Sequence, residues 1–430
     1  MQKSYLGKWF KKRDPGFIWR RLISLLTRYG LFPGKIANPL NACLAVLTEF
    51  GCIPTFFVPA VILKRYPQVI LNLKDSGCEI AVHGYQHIDL SHIPPEIAGE
   101  MLVRASRTFE DYGIKSYGFR CPYLGWSEDL LKAIPSGSFN YSSNTAISWD
   151  DISALYERRE FSNSLRKIYL PKPSEDTICI PWNHYGMVEI PVCFPEDLDL
   201  YDGYKKGAEE IAQFWCQVFN KIHVRGELFT LLFHSELAFL CAKPLKMLFQ
   251  EIQQYQPSVW IASLNEISDW WREKDNFKVN IENGADHLNI SFNCSPRATI
   301  LTRGLDSNGN QQTGDEKYFR QHSNVIQVPS GTRPFIGLPS TTPKRIISFL
   351  QNQGYILDTS EFANQCVTYI DQTKLSGLAT ELQLVNFIEA SNGPLIKFGH
   401  WPDGAKSAVN VSVDLDALTL FDYANRLWGQ

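Results

Sequence analysis

Four short stretches of this sequence carry side chains whose types and spacing could do chemistry. HGYQH holds His83 and His87, two imidazoles four residues apart that follow the apolar run CEIAV. Such a pair can reach one metal ion if a third ligand arrives from elsewhere in the chain. GFRCPY places Arg120 at the end of another apolar run, fixed by Pro122, where a guanidinium can hold a carboxylate. LFTLLFH ends an otherwise wholly apolar run in His234. Most lone histidines of that kind are satisfied core residues, and work as a general acid requires this one to face the metal's pocket. Near the C-terminus, AVNVSVDLDALT delivers Asp414 and Asp416. Two positions apart, they share one face of an ideal strand, so one carboxylate can bind a metal while the other takes a proton from water. His92 precedes Pro94 and Pro95 and is expected outside the ligand set. Each stretch also has a plain structural reading: turn histidines, a surface cation, a core histidine and a solvated strand end.

The elements that must position these residues follow from periodicity. Residues 17–31 and 38–51 have helical spacing, the second closing at Gly51. IPTFFVPA is a strand bounded by prolines, and a helix over 60–76 follows. CEIAVHGYQH, YGFRCPY and FNYSSN read as further strands, separated by helices over 94–112 and 127–133. Residues 155–200 read as irregular around the apolar segment MVEIPVCF. A helix over 203–222, the strand ELFTLLFHSEL, a helix over 243–255, the strand SVWIASL and the helix NEISDWW complete the pattern. Alternating strands and helices imply a parallel sheet with helices outside, and polar residues recur where its strands end. Beyond Trp271 the texture changes. Residues 277–340 read as short antiparallel strands, 343–391 as mostly helical, and 396–430 as a return to apolar strand.

Composition narrows the class. The 430 residues suffice for two or three domains, and a net charge of −3 disfavours nucleic acid as the main partner. One basic cluster, Lys8, Lys11, Lys12, Arg13, Arg20 and Arg21, reads as a solvated helix face, with a membrane surface or an anionic substrate as the alternative. The opening residues lack the apolar core of an export signal, and no transmembrane segment is expected. The ten cysteines are scattered and contain no C-x-x-C, which suits a reducing compartment. Together these features lead us to expect a cytoplasmic protein, with a peripheral position at the inner membrane face compatible with the basic start.

Taken together, the four stretches resemble the polysaccharide deacetylase family, the NodB-homology domain of carbohydrate esterase family 4, over residues 17–272 and 400–430. His83 and His87 match the family's H-x-x-x-H; Arg120, Pro122 and Tyr123 match R-x-P-Y; His234 matches its last motif. The family's first motif, a strand ending in two acids, belongs before PTFFV, yet FPGKIANPLNACLAVLTEFGC has no acid pair. WPDGAKSAVNVSVDLDALT resembles that motif in its D-x-D form. The chain is therefore expected to be circularly permuted, its terminal strand completing its own barrel or, by domain swapping, that of a second copy.

The resemblance implies an α/β fold, a deformed (β/α) barrel of the polysaccharide deacetylase type over residues 1–275. A small β-sandwich-like domain over 276–342, a helical connector over 343–395 and a barrel-completing segment over 396–430 follow. By the same resemblance His83, His87 and Asp416 bind a divalent metal, zinc foremost, and Asp414 is the general base, paired with Arg120. The Tyr123 backbone N–H helps to hold the oxyanion, and His234 protonates the leaving amine. The implied reaction removes an N-acetyl or other N-acyl group from an amino sugar or saccharide, releasing acetate and a free amine. Without an export signal, a nucleotide-linked or lipid-linked sugar suits it. A non-sugar amide or formamide, and an inactive carbohydrate-binding relative, are the alternatives. Two histidines and a carboxylate also suit an Fe(II) oxygenase, but Arg120 and His234 have no place there. Tyr85, Tyr123, Trp126 and Trp149 are candidates to stack on sugar, while Trp270 and Trp271 read as core or domain interface.

Overall fold

A computed structural model of the protein describes residues 25–150, 160–305, 311–312, 317–329 and 331–428. The basic cluster Lys8 to Arg21 and the first part of the helical pattern at 17–31 lie outside the described residues.

The principal sheet runs in the order Leu228–His234, Ser407–Asp414, Thr55–Val58, Glu79–Val82, Gly118–Phe119, Tyr141–Ser142, Met187–Glu189, Trp182–His184. Every neighbouring pair is parallel except the last. The strand nearest the C-terminus therefore lies inside the sheet, one strand in from its edge. On one flank Leu228–His234 runs beside it, pairing Leu228 with Ala408 and His234 with Asp414. On the other flank Val259–Ile261 pairs with its first residues, and Thr55–Val58 with its last, Phe57 opposite Asp414. All eight of its residues are buried. Alternation along it sorts them: Val409, Val411 and Val413 pack in the main core, while Asn410, Ser412 and Asp414 take the opposite face. The sheet curls, and Val192–Phe194, which continues Met187–Glu189, packs against Leu228–His234. A deformed barrel results.

Apolar runs such as TFFV and LFTLLFH suit parallel strands covered on both faces. The helices outside are Gly34–Glu49, Pro95–Asp111, Ala208–Arg225 and Ala238–Ile252 among others. The single helix expected over 60–76 is two, Ala60–Arg65 and Pro67–Asp75, with Tyr66 at φ −131° between them. Proline crowds the residue before it and pushes that residue out of helical geometry. The irregular stretch 155–200 contains the helix Glu160–Tyr169 and the short strands already named.

Beyond Phe277, Lys278–Asn283, His287–Asn293 and Val325–Pro329 form an antiparallel sheet. Residues 343–395 are not purely helical. Leu357–Asp358 and Cys366–Tyr369 pair in parallel with Arg333–Gly337, flanked by the helices Lys344–Asn352 and Glu381–Ala390. Strands of two to four residues are too short to show a period in sequence. Leu395–Phe398 pairs back with Ile300–Arg303 before the chain enters its terminal strand. At that return Trp401 is fully buried against Trp271 and Trp260, and its Nε1 donates to the Gly226 carbonyl at 3.0 Å. Trp270 Nε1 donates to the His400 carbonyl at 2.8 Å. The tryptophan pair Trp270 and Trp271 thus lies at the joint. No helix among the described residues is long and apolar enough to cross a membrane.

Candidate active site

Asp414 and Asp416 leave the terminal strand where its two neighbours also end, next to Phe57 and His234. His83 is the first residue after Glu79–Val82, its backbone N–H donating to the Val58 carbonyl at 2.9 Å. Gly84 then turns the chain at φ +78°, where a Cβ would lie 2.9 Å from the Gln86 carbonyl oxygen. The turn brings His87 back beside His83, their ring centres 5.1 Å apart. His83 Nδ1 donates to the Arg120 carbonyl at 2.9 Å. This fixes its tautomer and leaves the Nε2 lone pair facing the acids. His83 Nε2 is 3.3 Å from Asp416 Oδ1 and 3.7 Å from Asp414 Oδ2, and His87 Nε2 is 3.1 Å from Asp416 Oδ2. All four side chains are buried.

Arg120, fully buried, holds the other acid. Its Nη1 donates to Asp414 Oδ1 at 2.7 Å, and its remaining donors meet the Ser143 carbonyl, Ser143 Oγ and Ser412 Oγ at 2.9–3.1 Å. Ser412 Oγ itself donates to the Leu231 carbonyl at 3.0 Å. The guanidinium also lies 4.1 Å from the centre of the Phe57 ring. Two residues on, Pro122 leads into Tyr123, which sits at φ +59° with its ring edge against His87 at 4.6 Å. A positive φ costs a tyrosine energy, and such strain gathers at functional sites.

His234 also belongs to this cluster, and its partner was not anticipated from sequence. Its Nδ1 donates to Asp197 Oδ1 at 2.8 Å, and its backbone N–H donates to Asp197 Oδ2 at 2.8 Å. Burial disfavours the imidazolium, but the Asp197 carboxylate outweighs it, aided by Glu196, and raises the His234 pKa well above the ordinary 6.5. The signal for Asp197 was available: EDLD follows directly on the apolar VCFP, as polar residues follow the other strands.

Arg426 was also missed. It lies on the last helix, Leu420–Trp428, with Nη1 3.1 Å from Asp416 Oδ2 and Nη2 3.4 Å from His87 Nε2. Arg426 is the one cation of that helix, but nothing in the run LFDYANRLW marks it as facing the ligands. Burial, then the Arg426 charge, bring the His87 pKa down to about 4, so the imidazole stays neutral. Burial works against the Asp416 anion, but His87 and Arg426 beside it keep its pKa well below the usual carboxylate range.

The seven residues expected from sequence thus converge at one end of the barrel. His92 stands apart, exposed and 3.5 Å from Asp89. Of the aromatic candidates, Trp149 is buried in the core and cannot stack on a substrate, a correction that follows from its place at the end of the buried strand Ala146–Ser148. Tyr85 carries the Arg104 guanidinium on its face at 4.1 Å, and Trp126 packs edge-on against His184.

One nitrogen or oxygen from each of His83, His87 and Asp416 lies within 4.8 Å of the others. Asp416 Oδ1 is buried and lacks a hydrogen-bond partner among the described residues. A buried carboxylate oxygen left without a donor is costly, and a cation at that point removes the cost. Two imidazoles and one carboxylate are a donor set suited to a divalent transition metal. These residues fit such an ion.

Parts of the chain are similar to known proteins. Residues 36–141 match the family model "Polysaccharide deacetylase". The chain is 26% identical over 204 residues to the Peptidoglycan deacetylase-like protein FGM2 of Gibberella zeae, covering 44% of this chain and 59% of that one. It is 20% identical over 260 residues to the Peptidoglycan deacetylase of Helicobacter pylori, covering 56% and 85%. It is 31% identical over 90 residues to the Chitooligosaccharide deacetylase of a Bradyrhizobium species, covering 20% and 41%.

Proposed function

We propose that this chain, whose residues 36–141 match the polysaccharide deacetylase model, is a metal-dependent hydrolase of that family, removing an N-acetyl group from an amino sugar within a saccharide. The observation that carries this reading is the meeting of Asp414 and Asp416 with His83, His87, Arg120 and His234 at one end of the barrel. His83, His87 and Asp416 would hold a divalent cation, zinc being the best match to two imidazoles and a carboxylate. When bound, that ion would polarise the amide carbonyl and acidify a water.

The remaining work falls to the chain's own groups. Arg120 ties down Asp414 Oδ1 and leaves Oδ2 turned toward the histidines, placed to take the proton of the attacking water. The water oxygen bonds to the carbonyl carbon. The Tyr123 backbone N–H is the candidate donor to the oxyanion that develops. Asp197 holds Nδ1–H of His234, so Nε2–H is the proton available to the amine as the C–N bond breaks. Acetate and a free amino sugar leave.

We read the chain as a circular permutation of the family's usual order. Support comes from the position of the last strand, which fills the slot between Leu228–His234 and Thr55–Val58 within its own chain. The names of the three relatives share one chemistry, an acetylated amino-sugar polymer, and that is the substrate class we propose.

The test is acetate release from N-acetylglucosamine oligomers by the metal-loaded protein. The expected result is one acetate per new amine, lost in Asp414→Asn. Release from formamides alone would move the substrate off sugars, and no release with any amide would leave a saccharide-binding relative.

A further inference from the structure

Arg426 stands where no sequence motif called for a cation. Arg426 Nη2 lies 3.4 Å from His87 Nε2, the nitrogen that also faces Asp416 Oδ2 at 3.1 Å. That is the nitrogen a metal would need. Arg426 Nη1 at 3.1 Å similarly engages Asp416 Oδ2. The guanidinium therefore satisfies two of the three ligand side chains as a cation would.

The two arginines of the site differ in how they are held. Arg120 is fully buried, and Ser143, Ser412 and Asp414 take its donors. Arg426 retains 15% exposure, and its other close neighbours are the rings of Tyr123 and Tyr423, 6.0 and 5.9 Å from its centre. A shallow pocket open to solvent, lined by Arg65, His87, Asp416, Asp422 and Arg426, lies alongside, so the guanidinium can leave toward solvent. Charge gives it reason to. Asp414 is already paired with Arg120, so Asp416 is the one carboxylate among the three ligand side chains, and a divalent ion there would meet the Arg426 charge at close range.

We propose that Arg426 is a built-in competitor for the metal: its guanidinium bridges Asp416 and His87 and must swing outward to solvent for a divalent ion to bind. This rests on the reading of His83, His87 and Asp416 as metal ligands. Arg426 thereby sets how tightly the site holds its ion and keeps the buried carboxylate paired when the ion is absent.

Calorimetric titration of the metal-stripped full chain with Zn2+ tests it, using Arg426→Met and the milder Arg426→Gln. The expected result is binding at least about tenfold tighter in both variants, the opposite sign to loss of a supporting outer contact, which weakens affinity by roughly 10–100-fold. Without metal both variants should melt below wild type, and the gap should close on loading. If wild type takes up zinc and both variants bind it equally or more weakly, Arg426 supports the ligand set and the proposal falls. If neither wild type nor either variant takes up zinc, the metal reading itself falls, and this proposal with it.

Discussion

At the scale of single residues, two cations divide two acids. Arg120 holds Asp414 and Arg426 holds Asp416, and the first pair is the more deeply buried. Arg120→Met would leave Asp414 as an unpaired buried charge and strand the hydroxyls of Ser143 and Ser412. We expect a loss of about 3–5 kcal/mol in urea unfolding; a loss within the scatter of surface substitutions would show that Asp414 is not stabilised by this pair. His234 makes a second prediction. Its raised pKa means that the protonated form persists as pH climbs beyond 6.5. The stability of the His234–Asp197 pair is therefore fully present below that ordinary value and is lost as pH rises through the raised one. If His234 is the general acid, the alkaline limb of kcat lies above 6.5 in wild type and moves down by about one to two pH units in Asp197→Asn. A limb that stays in place would assign it to another group. His83, His87, Arg120 and His234 were legible because each sits at the end of an apolar run or in a short fixed spacing. Asp197 was hinted at by the polar run EDLD after VCFP, but its pairing with His234 and the approach of Arg426 from the last helix are tertiary contacts that one-dimensional spacing does not encode.

At the scale of elements, the terminal strand bears the most weight. It pairs with three strands, buries every residue, and carries Ser412 to Arg120 as well as the two acids. A chain ending at Gly399 would leave Leu228–His234 and Thr55–Val58 with open inner edges. We expect it to aggregate, with circular dichroism of any soluble fraction lacking near-ultraviolet structure; a soluble, cooperatively melting product would mean the strand is an accessory. Trp401, wedged between Trp271 and Trp260, anchors the entry to that strand. Trp401→Ala should cost about 3–5 kcal/mol, read by denaturant midpoint. The barrel's alternation was readable from sequence because strands such as TFFV and LFTLLFH are continuous apolar runs. The lengths were not: YGFRCPY yields only Gly118–Phe119 as strand, since Pro122 and the turn at Tyr123 end the ladder. The strands within 343–395 escaped notice because each is stabilised by pairing with Arg333–Gly337 rather than by its own composition.

At the scale of the whole molecule, Ser407–Asp414 pairs with strands far earlier in sequence, and the helix after it returns to the segment before Gly34. The Leu420 backbone N–H donates to the Gly30 carbonyl at 2.9 Å, and the Tyr29 and Tyr423 rings lie 5.2 Å apart. A new link between the last helix and the segment before Gly34 is therefore short. A rearranged chain that begins at His400, runs through Trp428 and joins the segment before Gly34 should fold, bind metal and melt close to the parent. Loss of metal binding in a folded rearrangement would show that the present connection, not the strand alone, builds the site. The measurement that goes most directly to the central claim is the metal content of purified wild type, Asp414→Asn and Asp416→Ala. If the terminal strand supplies both ligand and base, wild type and Asp414→Asn hold one ion per chain, Asp414→Asn releases no acetate, and Asp416→Ala holds none. An Asp416→Ala protein that keeps a full ion at wild-type affinity would contradict it.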